Sequence, residues 1–270
     1  MFKKFKLGII GSPIEHSLSP FNHSSFARHE NLNIDYQAFK VEEVDFDSFI
    51  IDFFSDKTSK GLNVTLPLKN LAANIDGEIS NEAKFINAVN TINKINRNFK
   101  LESTDGMGFM ADLKHKEIDI TGKNILIFGA GAAVESILFR LVRSKPAKIT
   151  IHNRTEEKAK KLCSNYPNHN VVFSPQKGDI YDIIINGSSA GLTGSFNPPE
   201  EITGTSKTIF YDLNYSLGKT PFCEWALESS KSVYDGTGML VNQAAQSFKF
   251  WFGMTPEIDG VLDDLKGLAK

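Results

Sequence analysis

The stretch GKNILIFGAGAAVESILFRLVRSK, residues 122–145, decides the fold of the second half of the chain. It begins with a short apolar run typical of a buried strand, continues through a glycine turn, and ends in apolar residues at helical spacing. Gly129 permits the tight turn, and Gly131 leaves room for the backbone to approach a pyrophosphate, whose charge a helix N-terminus stabilises. A glycine turn is sometimes purely structural, but strand, turn and helix in this order favour a dinucleotide-binding Rossmann unit.

The end of the next predicted strand indicates which dinucleotide binds. The sequence there is HNRTEEK, in which Asn153, Arg154 and Thr155 supply a cation and hydrogen-bond donors. These groups suit a ribose 2′-phosphate, whereas an acidic residue would suit the free 2′-hydroxyl of NAD. The pattern therefore predicts NADP. A second interpretation is a helix start with Thr155 as the N-cap and acidic residues in the first turn, and the two interpretations are compatible.

The first half of the chain alternates between apolar segments of strand length and helical patterns. Strands are predicted at LGIIG, IDYQAFKV and GLNVT, and this alternation is typical of βαβ units with a mainly parallel sheet. We predict an α/β protein with an N-terminal α/β substrate domain, residues 1–105, and a C-terminal NADP-binding Rossmann domain, residues 106–237. The last helices, about residues 238–270, are expected to pack back onto the first domain.

Composition argues against several other classes of protein. The 270 residues carry a formal net charge of −2, so no basic field points to nucleic acid or to an anionic membrane. Cys163 and Cys223 lack metal-like or redox spacing, and His16 and His23 have no convincing metal partners in the sequence. No apolar stretch approaches the length of a membrane span. We expect a cytoplasmic protein without a metal that acts on a small molecule as a monomer or homodimer.

Small polar residues recur at predicted strand ends and turns of the first half. Ligands of open α/β sheets bind beyond the carboxyl ends of the strands, so these residues are candidates for a substrate site. GLNVTLPLK carries Asn63 and Thr65 on one alternating face and Lys69 after a proline, while AVNT and STDGMGF add Asn90 and Asp105. Structural interpretations also exist: an exposed helix residue for Lys69, a turn former for Asn90 and a helix N-cap for Asp105.

Two serines lie in the turn after the first predicted strand, in the segment GSPIEHSLSPFNH. Ser17 and Ser19 come just before a helix that Pro20 can begin. Two hydroxyls at this place are suited to bind an anion together with the free N–H groups of the helix start. Capping of the helix by Ser19 is the alternative, and it stays open at this point.

The order and spacing of these motifs resemble those of the shikimate dehydrogenase family along almost the whole chain. The matching segments are GSPIEHSLSP, GLNVTLPLK, AVNT, STDGMGF, GAGAA, NRT, DLNY and DGTGMLVNQAAQSFKFW. The resemblance implies reversible, NADP-dependent reduction of 3-dehydroshikimate to shikimate in the aromatic amino acid pathway. It also implies a substrate domain followed by a Rossmann domain.

The resemblance further implies the roles of individual residues. Lys69 and Asp105 match the catalytic pair of the family. The positions that match substrate contacts are Ser17, Ser19, Thr65, Asn90, Tyr215 and Gln243. Asn63 joins them as a candidate because it shares a strand face with Thr65. The positions that match cofactor contacts are Gly129, Ala130, Gly131, Ala132, Ala133, Asn153, Arg154, Thr155, Lys158, Leu213 and Gly236.

Several positions depart from the family pattern. Ala132 replaces a glycine of the usual GAGGA loop, Asn87 stands where glycine is usual, and Ser103 stands where asparagine is usual. These departures bear on affinity and rate more than on the type of reaction.

Two alternatives to this function remain open. One is a quinate/shikimate dehydrogenase with relaxed cofactor use, and Arg154 argues against it. The other is a non-catalytic regulatory relative, and the presence of both Lys69 and Asp105 argues against it.

Overall fold

The computed structural model describes residues 4–176, 178–188, 195–200, 202–216 and 218–268. The chain divides into two compact units. The first contains the residues up to Gly108 together with Leu240–Leu265, and the second contains Phe109–Met239. The boundaries predicted from the sequence lie after residues 105 and 237.

The first unit is built on one sheet, in which most neighbouring strands run parallel. Its strands are β1 (Phe5–Gly11), β2 (Ile34–Lys40), β3 (Ser59–Val64), β4 (Glu78–Ile79), β5 (Thr91–Ile95) and β6 (Asn98–Glu102). Their order across the sheet is β2-β1-β3-β5-β6-β4. β1 pairs in parallel with β2 and β3, and β4 pairs in parallel with β6. β5 is antiparallel to β3 and β6, so a hairpin is inserted into an otherwise parallel sheet.

The helices of the N-terminal part are α1 (Ser19–His29), α2 (Phe46–Ser55), α3 (Lys69–Ala72), α4 (Asn81–Ile86) and α5 (Asp105–His115). Local chemistry explains both ends of α4. The Ser80 hydroxyl caps its start by accepting from the N–H of Ala83 at 3.2 Å. Asn87 ends it in a left-handed conformation with φ of 50°. Asparagine tolerates this conformation better than other residues with a β-carbon, which accounts for its presence where the family has glycine.

The second unit is a fully parallel sheet of Rossmann type. Its strands are β7 (Asn124–Phe128), β8 (Lys148–His152), β9 (Val171–Phe173), β10 (Ile183–Asn186), β11 (Ile209–Asp212) and β12 (Val233–Tyr234). Their order is β12-β11-β10-β7-β8-β9, and every neighbouring pair is parallel. The helices that follow these strands are α6 (Ala132–Leu141), α7 (Glu156–Ser164) and α8 (Pro221–Leu227). The predicted α/β class and Rossmann unit are confirmed.

The last helices are α9 (Thr237–Phe252) and α10 (Asp259–Leu268). Residues of α9 and α10 share an apolar cluster with α1 that contains Phe26, Val241, Phe248 and Val261. This cluster anchors α9 within the first unit, which also contains β1 and β3.

One helix and two strands, α8, β4 and β12, were not predicted from the sequence. α8 has a recognisable start, since the Thr220 hydroxyl accepts from the N–H of Cys223 at 3.2 Å and Pro221 occupies the first turn. β4 and β12 have only two residues each, which is too short for any alternating pattern. The segment LKNLAANI has a helical pattern, but only its residues Lys69–Ala72 form a helix, α3.

The apolar face of α2 explains many of the phenylalanines of this chain. Phe53 is 2% exposed, and its ring packs against the rings of Phe39, Phe49 and Phe54 with centroid distances of 5.1–5.9 Å. Ile51 projects from the opposite face of the same helix and is 74% exposed. The helix is therefore held to the sheet by one aromatic stripe.

No helix within the described part of the chain is long and apolar enough to cross a membrane. The same residues contain no group of three or more His, Cys, Asp and Glu side chains placed to hold a metal ion.

Phe53→Ala should lower the free energy of unfolding by about 3–5 kcal/mol, because the lost ring leaves a cavity in a packed aromatic cluster. Ile51→Ala, on the exposed face of α2, is the matched control and should change stability by no more than about 0.5 kcal/mol. Urea unfolding followed by circular dichroism measures both. Equal effects of the two substitutions would contradict the packing described for α2.

Candidate active site

The candidate catalytic residues of the first unit lie where strands end. Thr65 follows β3, and its N–H donates to the Ile10 carbonyl at 2.9 Å, so the chain stays paired with β1 to this point. The chain then turns, and Lys69 is the first residue of α3. Asn90 directly precedes β5, and Asp105 begins α5 after β6. The structure therefore brings the predicted residues to one edge of the sheet.

Lys69 and Asp105 form a direct ion pair. Lys69 Nζ donates to Asp105 Oδ2 at 2.6 Å, and the two side chains are only 14% and 11% exposed. A hydrogen bond between two ionised groups is stronger than a neutral one, and partial burial reduces screening by water. The pair is not completely buried, so it retains limited access to solvent. The N-cap interpretation of Asp105 does not describe this residue, whose two carboxylate oxygens contact side chains.

The Asn90 side chain fixes the other oxygen of the carboxylate. Its Nδ2 donates to Asp105 Oδ1 at 2.8 Å, while its Oδ1 accepts from the backbone N–H of Thr104 at 2.8 Å. Because a backbone N–H can only donate, the amide oxygen must face Thr104 and the amide nitrogen must face Asp105. Asp105 is thus held from both sides, by Asn90 on one oxygen and by Lys69 on the other.

Asn63 lies deeper than the other candidates and is 5% exposed. Its Oδ1 accepts from the Tyr36 hydroxyl at 2.8 Å. Its Nδ2 lies 3.2 Å from the Asn90 carbonyl oxygen and 3.1 Å from Thr91 Oγ1. Protein groups therefore already satisfy this amide, and a direct contact from Asn63 to a substrate stays a prediction.

The two serines of the first turn behave differently from each other. The N-cap residue of α1 is Leu18, and the structure gives it no side-chain cap. The Ser17 hydroxyl accepts from the N–H of Ser19 at 3.3 Å, so the helix start uses Ser17. Ser19 is the first residue inside α1 and is 4% exposed. The interpretation of Ser19 as the helix cap is therefore wrong.

Gln243 reaches the same cluster from α9. Its Oε1 lies 3.4 Å from Thr104 Oγ1, and its Nε2 donates to the Leu240 carbonyl at 3.0 Å. Gly108 of α5 makes the close approach of the two helices possible, because a β-carbon there would lie 2.5 Å from the Gln243 nitrogen.

In the second unit, the glycine turn predicted to bind a dinucleotide lies at the carboxyl edge of the sheet. Gly129 has φ of 105°, and a β-carbon on it would lie 2.7 Å from the Gly187 carbonyl oxygen. Gly131 is exposed with open space around it, and it caps α6 without a side chain. The first N–H groups of α6, at Ala132 and Ala133, therefore have no side-chain cap and suit an anionic ligand. Ala130 lies between the two glycines and packs against the core of this unit.

The end of β8 has the groups that a 2′-phosphate needs. Asn153 Nδ2 donates to the Thr155 carbonyl at 2.8 Å and shapes the turn. Arg154, Thr155 and Lys158 are exposed. Arg154 makes no ion pair within the described ranges of the chain. Thr155 holds the N-cap position of α7, but its hydroxyl makes no capping bond. These residues fit NADP, since the cation and the hydroxyl are both available.

Three further candidates lie near the ends of β11 and β12. The Leu213 N–H donates to the Asn186 carbonyl at 2.8 Å. A β-carbon on Gly236 would lie 2.3 Å from the Leu213 carbonyl oxygen, so glycine is required for this contact. Tyr215 is partly buried, and burial raises the pKa of its hydroxyl.

Sequence analysis missed the hydroxyl groups that surround Asn90. Thr91, Thr104 and Ser247 are each at most 1% exposed and hydrogen-bond to one another or to the Asn90 amide. Thr91 and Thr104 adjoin predicted residues, and Ser247 lies four positions after Gln243 on the same face of α9. That helical spacing was the signal available for Ser247.

A lysine–carboxylate pair at the strand ends of one α/β unit, and a glycine turn with uncapped helix amides in a Rossmann unit, define a dinucleotide-dependent oxidoreductase. Comparisons with known proteins identify the family. The model of the shikimate dehydrogenase substrate binding domain matches residues 9–92, that of shikimate/quinate 5-dehydrogenase matches residues 111–190, and that of the shikimate 5′-dehydrogenase C-terminal domain matches residues 236–265.

Individual proteins match over nearly the whole chain. The shikimate dehydrogenase (NADP(+)) of Colwellia psychrerythraea is 37% identical over 97% of this chain and 96% of its own length. The enzyme of the same name from Shewanella woodyi is 38% identical over 98% of both chains. The crystal structure of shikimate 5-dehydrogenase from Thermus thermophilus in complex with NADP(H) and shikimate is 27% identical, with a TM-score of 0.87, and the match covers 98% of this chain and 99% of that one. The chain belongs to the shikimate dehydrogenase family.

A buried histidine should make the first unit sensitive to acid. His23 is fully buried, and its ring stacks on Tyr36 with a centroid distance of 4.5 Å. Burial lowers the pKa of His23 to about 3. Because the unfolded chain has the higher pKa, it binds the extra proton as the pH falls below about 6.5. The part of the unfolding free energy that depends on a neutral His23 is therefore fully present above this pH. It is lost progressively as the pH falls toward 3.

Lowering the pH from 7 to 5 should therefore reduce the free energy of unfolding by about 2 kcal/mol through protonation of His23 in the unfolded chain. His23→Phe should remove that part of the pH dependence, whereas the same substitution at His29, which is exposed on α1, should leave it in place. Urea titrations at the two pH values measure the difference. An unchanged pH dependence in His23→Phe would show that His23 is not the responsible group.

Proposed function

We propose that this protein catalyses the reversible NADPH-dependent reduction of 3-dehydroshikimate to shikimate. The observation that carries the proposal is the ion pair of Lys69 and Asp105, with 2.6 Å between Nζ and Oδ2, in a chain of the shikimate dehydrogenase family. The names of the NADP(+)-dependent relatives support both the reaction and the cofactor. Location in the cytoplasm and a monomeric or homodimeric state remain predictions.

The chemistry of the reaction assigns distinct tasks to the two charged residues. The bound nicotinamide cofactor supplies the hydride to the ketone carbon. Lys69 stabilises the negative charge that develops on the ketone oxygen and supplies its proton. Asp105 holds the ammonium group in place through Oδ2. In the oxidation direction the same lysine accepts the proton of the hydroxyl.

The polar residues that match substrate contacts of the family would bind and orient the substrate. In the proposed site Ser17 and Ser19 bind the substrate carboxylate, and Thr65 and Asn90 contact the ring hydroxyls. Tyr215 and Gln243 are proposed to add further substrate contacts. Such contacts raise the rate by fixing the carbonyl carbon and the lysine in a reactive geometry.

The proposed cofactor site uses the backbone for the pyrophosphate and side chains for the 2′-phosphate. The open turn at Gly131 and the first amides of α6 would hold the pyrophosphate. Arg154 would contact the 2′-phosphate, with Asn153, Thr155 and Lys158 nearby in the same turn and helix start. The methyl group of Ala132 lies in the first turn of α6 at the proposed pyrophosphate site.

Lys69→Ala should lower kcat for shikimate oxidation by roughly 10²- to 10⁴-fold, as expected for loss of a general acid–base group. The KM for shikimate should change far less, because the other contacts remain. Lys84→Ala, which removes an exposed lysine of α4, is the control and should match the wild type. Steady-state NADPH formation measures these constants, with folding checked by circular dichroism. A folded Lys69→Ala enzyme within a few-fold of wild type would remove the lysine from the mechanism.

Arg154→Ala should reduce the preference for NADP over NAD by about 10- to 100-fold in kcat/KM, mainly through the KM for NADP. The control is Arg97→Ala, which removes an exposed arginine from the turn between β5 and β6. Assays with shikimate and quinate, each with NADP and with NAD, measure the preference. Equal use of NAD by the wild type would favour the quinate/shikimate alternative over the proposed function.

A further inference from the structure

Ser247 joins the polar groups beneath the ion pair. Its side chain is 0% exposed. Its hydroxyl oxygen lies 3.0 Å from Asn63 Nδ2, 2.8 Å from Thr91 Oγ1, 3.1 Å from Thr104 Oγ1 and 3.1 Å from the Gln243 carbonyl oxygen. These four neighbours come from β3, β5, the segment before α5, and α9 itself.

The hydrogen-bonding capacity of Ser247 is fully used by these neighbours. A hydroxyl has one proton and two lone pairs. The Gln243 carbonyl can only accept and Asn63 Nδ2 can only donate, so these two contacts use the proton and one lone pair. The second lone pair accepts the proton of one threonine, either Thr91 or Thr104.

The other threonine is then free to donate to the Asn90 amide oxygen. Thr91 Oγ1 lies 2.9 Å from Asn90 Oδ1, and Thr104 Oγ1 lies 3.2 Å from it. This bond adds to the one from the Thr104 N–H, and both hold the amide oxygen away from Asp105. The amide nitrogen is consequently kept on the carboxylate that pairs with Lys69.

We propose that Ser247 is a positioning residue for catalysis. Its hydroxyl accepts the proton of one threonine, which directs the proton of the other to the Asn90 amide oxygen, and the Asn90 amide nitrogen holds Asp105 in its pair with Lys69. The kinetic consequence of this inference rests on the proposed function, because only that reaction uses the ion pair. Loss of the hydroxyl leaves Asn63 Nδ2 with its two other acceptors, so we expect the variant Ser247→Ala to fold.

The first test compares Ser247→Ala with a matched control. Ser59→Ala makes the same change at another buried serine of this unit, whose hydroxyl donates to the Phe53 carbonyl. Both variants should lose a few degrees of melting temperature. Ser247→Ala should lower kcat for shikimate oxidation about 10-fold with the KM for NADP within about twofold, whereas Ser59→Ala should keep wild-type kinetics.

A double-mutant cycle separates positioning from a general effect on the fold. In an Asn90→Ala background, Ser247→Ala should lower kcat by less than about twofold, since its effect passes through the missing amide. Additive effects, or equal kcat values for Ser247→Ala and wild type, would overturn the proposal while leaving the proposed function intact.

A measurement without substrate keeps the two proposals distinguishable. The side-chain NH₂ signals of Asn90 in a ¹⁵N correlation spectrum are identified by their loss in Asn90→Ala. They should shift in Ser247→Ala and stay in place in Ser59→Ala. A wild-type protein that forms no NADPH with shikimate would refute the proposed function. The shift of the Asn90 signals in Ser247→Ala would then be the measurement that tests the positioning role. Unmoved Asn90 signals in Ser247→Ala would overturn it.

Discussion

The backbone N–H of Thr104 can only donate a hydrogen bond, and the arrangement of the candidate site depends on that constraint. It fixes the oxygen of the Asn90 amide and so directs the amide nitrogen toward Asp105. Asp105 then has one oxygen for Asn90 and one for Lys69. A geometry set by a backbone group is rigid, because the strand and helix on either side of Thr104 fix its direction. Catalysis benefits from such preorganisation, since nothing has to be reoriented when charge develops.

In the second unit, backbone groups likewise determine the shape of the turns at the edge of the sheet. The β-carbon positions at Gly129 and Gly236 are blocked by neighbouring carbonyl groups at 2.7 Å and 2.3 Å, so neither position accepts a side chain without displacement. Gly131, by contrast, faces open space. Glycines thus serve two purposes at this edge of the sheet: two allow loops to pack closely, and one leaves the helix start open to a ligand.

The sequence predicts the parts of this protein that depend on local patterns. The glycine turn, the alternation of strands and helices, and the order of motifs were sufficient for the fold class and the family. The distance of 2.6 Å between Lys69 and Asp105 could only come from the structure, because 36 residues separate them and their meeting depends on strand order.

The buried hydrogen bonds among Asn63, Thr91, Thr104 and Ser247 could not be predicted either, because they join residues far apart in the sequence. Ser247 and Asn63 are separated by 184 residues, and the spacing of Ser247 from Gln243 on α9 does not indicate its partners on β3 and β5. The capping interpretation of Ser19 failed by one residue, since the N-cap position of α1 is Leu18 and sequence patterns place helix starts only to within one or two residues. Within the part of the chain that the structure describes, the longest-range contacts were the hardest to anticipate.

The ion pair of Lys69 and Asp105 is largely buried and Arg154 is exposed, so their electrostatic interactions respond differently to salt. Dissolved ions screen exposed charges over about 8 Å at physiological ionic strength but screen partly buried pairs much less. Lys69 and Asp105 are 14% and 11% exposed and in direct contact, whereas Arg154 is exposed. In the proposed cofactor site, rising ionic strength would therefore weaken the contact of Arg154 with the 2′-phosphate, while the ion pair of Lys69 and Asp105 stays intact. It follows from the proposed roles of these residues that the ionic strength of the surroundings would influence the choice between NADP and NAD more than the step of proton transfer.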